Sequence, residues 1–218
     1  MNAFHKSVLW LVTRIYPYKA YGMENIPEGA AVIPYNHFSV MDPLFIRHAY
    51  RGTICFPAKI ELFKNKCFGS ILRACGAIPV DRANPGMEML LTSIKTLRNG
   101  NKLVISPEGT RNKTSSLDFL PFKEGTVLFA VKGKAPVVPC IVAKPAKPFR
   151  RTNIYFGKPF DFSEYYDKKL SDEVLKNLND VLVEKMKEAQ AEFLQFLDNK
   201  KKKKGRKSAK VNLNNGNT

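Results

Sequence analysis

"AAVIPYNHFSVMDP", residues 30–43, sets an apolar run against an abrupt change of character. Ala30 to Ile33 read as a short buried strand, Pro34 ends it, and Pro43 disfavours a helical conformation at Asp42. The stretch therefore predicts a strand end that opens into a turn. Inside the turn a histidine precedes an aspartate by five positions. On an α-helix that spacing puts side chains roughly 140° apart, so His37 and Asp42 meet only where the chain between them is not regular helix. One His-x-x-x-x-Asp is weak by itself, because chance supplies such pairs.

Outward from this stretch the same alternation recurs. "GTICFPA" (52–58), "AIPV" (77–80), "KLVIS" (102–106), "APVVPCIVA" (135–143) and "TNIYFG" (152–157) read as strands. Between them, "ELFKNKCFGSILRACG" (61–76) is helical with Gly76 as its stop. Asn84 and Pro85 look like the start of a helix whose stripe is Met87, Leu90, Leu91, Ile94 and Leu97. "GTVLFAV" (125–131) gives a short helix. The last runs from Ser171, as N-cap, to about Leu197, with Val174, Leu178, Val181, Leu182, Met186, Ala189 and Phe193 on one face. Strands alternating with helices predict a single α/β domain, its sheet mixed and largely parallel and flanked by helices.

Two segments lie outside that domain. "MNAFHKSVLWLVTRIYP" (1–17) spaces Phe4, Val8, Leu11 and Ile15 as a helical apolar face, with Lys6, Ser7, Thr13 and Arg14 elsewhere. It reads either as a first helix packed on the core or as an interfacial helix with Trp10 at headgroup level. It lacks the small-residue cleavage pattern of a signal peptide. Residues 200–218 open with "KKKKKGRKSAK" and are too polar to fold alone, which predicts a disordered basic tail. The domain itself is expected over residues 18–199.

Of the net charge of +17, eight units fall in residues 200–210 and nine are spread over residues 1–199. Such a body favours an anionic partner, whether nucleic acid, an anionic membrane surface or a phosphorylated substrate. No run approaches the roughly 20 apolar residues that span a bilayer. Cys55, Cys67, Cys75 and Cys140 show no Cys-x-x-Cys spacing, so they read as buried reduced thiols rather than a metal or redox site.

Polar clusters follow the strands: His37 and Asp42, then Asp81 and Arg82, then Glu108 with Arg111. Ligands of α/β sheets bind beyond the carboxyl ends of strands, where such clusters converge. Singly, Asp81 and Arg82 read as a surface ion pair, Lys59 and Lys123 as surface lysines, and His5 and His48 as structural.

Taken in order, these blocks resemble the glycerolipid acyltransferase family, and within it the bacterial lysophosphatidate acyltransferases, over about Gly22 to Phe160. "NHFSVMD" is similar to the family's first block, "GAIPVDR" to its second, "SPEGTR" to its third and "VVPCIV" to its fourth, while "FPAKIELF" resembles its lysine stretch. Ser106 stands where the family commonly has Phe. The resemblance implies acyl transfer from a thioester, of acyl carrier protein or coenzyme A, to the free hydroxyl of lysophosphatidate, giving phosphatidate. Glycerol 3-phosphate or another lysophospholipid are the alternative acceptors. His37 would be the general base and Asp42 would hold its imidazole, with no enzyme nucleophile and no metal or cofactor. Arg82 and Arg111, supported by Lys59, would hold the phosphate. Glu108 would accept from a glycerol hydroxyl or orient Arg111, beside Gly109 and Thr110. The implied setting is a peripheral protein on the cytoplasmic face of the cell membrane. The rival reading, a nucleic-acid-binding protein, requires cations interleaved with exposed aromatics along one surface, and no nucleic acid is expected.

Overall fold

A computed structural model of the chain describes residues 3–81, 87–114 and 117–214, with side chains of the last helix described to Lys202. The strand of the opening stretch, β2 (Ala31–Pro34), is buried throughout, as expected of a strand with helices on both faces. It pairs in parallel with β5 (Lys102–Ile105), β5 with β3 (Ile54–Lys59), and β3 with β4 (Ala77–Val80). A second group joins β1 (Tyr18–Tyr21) in parallel to β7 (Thr152–Phe156), and β7 antiparallel to β6 (Cys140–Val142). Parallel bridges Val32↔Val137 and Tyr35↔Cys140 stitch the groups together. The result is a mixed, largely parallel sheet in the order β1-β7-β6-β2-β5-β3-β4.

Alternating side chains divide the core between the two faces. Ala31, Ile33, Val104, Ile54 and Phe56 pack with α1 (Ala3–Ile15), α2 (Asp42–Ala49) and α3 (Lys66–Ala74). Val32, Leu103, Ile105 and Ile141 pack with α4 (Met87–Arg98), α5 (Gly125–Lys132) and α6 (Asp172–Asn214). Strand side chains alternate between faces, so one sheet serves two helical layers.

Several elements differ from the sequence reading. β1 has no sequence signal: its Tyr-Lys-Ala-Tyr has no apolar run, and pairing with β7 makes it a strand. The turn expected through Pro43 runs directly into α2, with Asp42 as its first residue and Pro43 in its first turn, where proline has no intrahelical bond to lose. Pro139, which lacks an N–H, shortens the expected strand over residues 135–143 to Cys140–Val142. The expected helix start at Asn84 and Pro85 lies outside the described residues. Val181 is exposed, while Leu178, Leu182, Met186, Ala189 and Phe193 are buried as predicted. Ser171 caps α6, its hydroxyl accepting from the Val174 N–H at 3.3 Å.

α6 continues past its expected end near Leu197 and carries the backbone of the basic segment as helix to Asn214. Lysine and alanine are good helix formers and no proline interrupts residues 198–214, so a helix already nucleated extends at little cost. Cys67 is exposed and Cys55 half-buried, unlike buried Cys75 and Cys140; all four are free thiols. Among the described residues no helix is long and apolar enough to cross a membrane.

Gly76, between α3 and β4, has φ +95, and a Cβ there would collide with the Ile54 carbonyl oxygen of β3. Gly76→Ala is expected to destabilise the fold by more than about 1 kcal/mol, lowering Tm by at least ~2 °C in a calorimetric scan. An unchanged Tm would show that the α3–β4 connection gives way freely.

Candidate active site

Strands β2, β3, β4, β5 and β6 all end at one edge of the sheet, where His37, Asp42 and Glu108 come together. Beyond β2, the Asn36 amide pairs with the backbone of Val142, donating to its carbonyl at 3.0 Å and accepting from its N–H at 2.7 Å. Asn36 is buried, so this two-way bond fixes where the chain enters the next turn.

The turn wraps around one carboxylate oxygen. Asp42 Oδ2 accepts the N–H groups of Phe38 and Ser39, each at 2.7 Å, and lies 3.0 Å from His37 Nδ1. The five-residue spacing closes into a contact because Phe38 to Met41 are not regular helix. Asp42 is fully buried at the start of α2, where a negative charge is favoured by the helix dipole. A carboxylate only accepts, so Nδ1 carries the proton and Nε2 presents its lone pair.

A second layer of bonds holds the histidine's backbone. The His37 N–H donates to Glu108 Oε1 at 3.1 Å, and its carbonyl accepts from the Asn112 N–H at 2.7 Å. The other oxygen of Glu108 accepts from the Leu120 N–H at 3.3 Å. Glu108 is buried, which pushes its carboxyl above the ordinary value, while the N–H groups of His37 and Leu120 pull it part of the way back. Each oxygen of Glu108 thus holds a backbone N–H, a clamping role that the sequence reading does not assign to it.

The remaining expected residues divide. Gly109 sits in a tight turn at φ +65, its N–H donating to the Ser106 carbonyl at 3.1 Å. Thr110 and Arg111 follow it, exposed, and Arg111 directly precedes the Asn112 that binds His37. Lys59 ends β3, exposed, and pairs with Glu61 at 3.1 Å. Arg82 lies outside the described residues. His5 and His48 bond Ser70 and Tyr18 respectively, which fits structural roles.

The sequence gives Tyr35 no role and reads Lys123 only as a surface lysine. The Tyr35 ring stands edge-on to His37 with centroids 5.4 Å apart. Tyr35 also lines a cavity of about 390 Å³ with Leu90, Ile105, Gly109, Lys123 and Phe129. A Cβ on Gly109 would lie 3.0 Å from Lys123 Cε, so the glycine lets the lysine stem lie across the turn. Asn36 opens the "NHFSVMD" block, whereas nothing local marks Lys123.

A sequence profile of the family described as Acyltransferase matches residues 18–143, which hold β1 to β6 and all the side chains of this site. The chain belongs to the acyltransferase family. Among its relatives, a 1-acyl-sn-glycerol-3-phosphate acyltransferase of Bacillus subtilis is 38% identical over 130 residues, 59% of this chain and 63% of its own length. The Streptococcus pneumoniae protein of the same name is 28% identical over 172 residues, 76% of this chain and 62% of that one. The Helicobacter pylori protein is 36% identical over 123 residues, 56% and 52%. The chain thus spans less than two thirds of the length of these acyltransferases. The crystal structure of the 1-acyl-sn-glycerophosphate acyltransferase PlsC from Thermotoga maritima has the same fold, with a TM-score of 0.59 at 23% identity over 86% of this chain and 76% of that one.

Proposed function

We propose that the chain moves a fatty acyl group from a thioester of acyl carrier protein or coenzyme A to the free hydroxyl of lysophosphatidate, giving phosphatidate. The observation that carries this reading is the 3.0 Å contact between His37 Nδ1 and Asp42 Oδ2 at the strand ends. It leaves Nε2 to take the hydroxyl proton. The hydroxyl oxygen then bonds to the thioester carbonyl carbon, and the C–S bond breaks as the tetrahedral oxyanion collapses. The departing thiolate takes the proton back from the imidazolium, which Asp42 stabilises meanwhile. Atoms balance without an enzyme nucleophile.

The apolar cavity beside Tyr35 falls within the size range of ligand pockets and suits a hydrocarbon chain. Arg111, Lys59 and Arg82 remain the cations for the phosphate, and Lys123 joins them from the cavity wall. The exposed Lys59–Glu61 pair is weakly held, so Lys59 is free to change partners. The exposed Phe4, Trp10 and Leu11 of α1, with the positive body, support a peripheral position on the cytoplasmic face of an anionic membrane. Leu9 of the same helix packs into the core, so α1 has both an anchored and a free side.

The test is incubation with lysophosphatidate and a labelled acyl thioester, followed as phosphatidate formed. Arg111→Ala should raise the KM for lysophosphatidate more than that for the donor. Absence of acyl transfer, together with tight and salt-sensitive RNA or DNA binding, would replace this reading with the nucleic-acid one.

A further inference from the structure

The loop between β6 and β7 contains "KPAKPFRR", residues 144–151, with four cations and no acid. A bridge between Lys147 and Arg150 closes it into a narrow turn that puts Pro148 and Phe149 at its tip. Phe149 is 81% exposed, at φ +56, a left-handed conformation that a bulky side chain rarely adopts. The tip is not loosely held. The Phe149 N–H donates to the Ile15 carbonyl at 2.6 Å, the Thr152 N–H to the Pro17 carbonyl at 3.0 Å, and the Thr152 hydroxyl to the Lys144 carbonyl at 2.9 Å. A strained, rigid mount that points an aromatic ring at water has no use in the core.

Topology gives the direction. β6 ends at the sheet edge that carries His37, with Val142 bonded to Asn36. β7 runs back antiparallel to β6, so the loop lies at that same edge. β1 is parallel to β7 and begins there too, as the chain leaves α1. α1, whose Ile15 carbonyl holds the tip, exposes Trp10 and Leu11 at 55% and 53%, and Arg151 of the loop lines a cleft of about 480 Å³ with Arg14 and Lys19. Among the described residues, Lys144, Lys147, Arg150 and Arg151 appear in no ion pair.

We infer that residues 144–151 are a second membrane-docking element beside α1, with Phe149 inserted at the headgroup level of an anionic bilayer and the four cations on its phosphates. An exposed aromatic in a loop with four exposed cations complements a surface that is apolar beneath and anionic above. The inference rests on the proposed lipid substrate, since docking by this edge brings His37 to the bilayer in which a long-chain acceptor resides.

Phe149→Gly tests it in the full chain. Glycine adopts φ +56 freely, so the variant should fold with an unchanged or raised Tm. Its affinity for phosphatidylglycerol/phosphatidylcholine vesicles should fall about tenfold. Turnover on vesicle-embedded lysophosphatidate should fall with it, and turnover on a short-chain monomeric acceptor should not. A double variant, Trp10→Phe with Phe149→Trp, moves the chain's single tryptophan to the loop tip. Its emission should shift to the blue on these vesicles and be quenched by brominated lipid. Unchanged vesicle affinity of Phe149→Gly, or an unshifted and unquenched emission from the double variant, overturns the docking role. A wild type that shows the membrane signal but transfers no acyl group instead defeats the proposed reaction and leaves the docking standing.

Discussion

His37→Ala is expected to lower kcat by about 10²-fold or more, the usual contribution of a positioned general base, while leaving the protein folded. The folding part follows from how the residue is held. Glu108 and Asn112 grip its backbone N–H and carbonyl, which alanine keeps. Asp42 Oδ2 retains its bonds from Phe38 and Ser39 without the imidazole. What disappears is the lone pair on Nε2 and the packing of the ring against Tyr35. Cations and cavity remain, so the KM for lysophosphatidate should change little. Rates under saturating donor and acceptor, with circular dichroism to check folding, decide the matter. A folded variant with near-normal turnover would place the base elsewhere.

The two halves of the site were unequally visible in the sequence. His37 and Asp42 lie five residues apart, and prolines at 34 and 43 bracket the turn, so local rules reach their contact. Glu108 lies 71 residues from the N–H it binds, and no spacing rule connects the two. Its place in "SPEGTR" implies a role with substrate, and the assembled fold adds one with backbone. In the fold, strands such as β4 and β5 carry continuous apolar runs and were legible. β1 exists through its register with β7, Tyr18 opposite Thr152, which only the assembled sheet supplies. α2 was hidden for a related reason. Its eight residues are too few for a periodic signal, and Leu44, Phe45 and Ile46 become a core face only once β2 lies beneath them. Phe149 shows the limit from the other side, since "KPFRR" reads as a polar loop and only the backbone angle and exposure reveal how the ring is presented.

Replacing Glu108 should be felt in both stability and rate. Glu108→Ala strands two buried N–H donors, those of His37 and Leu120, at a cost of about 1–3 kcal/mol each. A domain stable by only ~5–15 kcal/mol could lose its fold outright. Glu108→Gln is therefore the informative change. It keeps the volume and one acceptor but turns an NH₂ toward the other N–H, so the His37 backbone must shift. A displacement near 1 Å at a catalytic base costs roughly 10²-fold, and it should appear in kcat with little change in KM. Loss of stability alone would instead reduce the active fraction without altering the kcat of the folded enzyme. A pH series separates the two contributions of the carboxylate. Burial raises the folded pKa of Glu108 above its ordinary 4.5, so the folded state keeps a proton that the unfolded state releases. Stability drawn from this group is then complete below 4.5 and declines as pH rises through the raised value. The advantage of wild type over Glu108→Gln in unfolding free energy should shrink as pH rises from 4.5 toward the raised value and level off above it. An advantage that grows instead would mean that the bonds to His37 and Leu120 outweigh the cost of burying the charge, and that Glu108 clamps the loop most tightly when ionised.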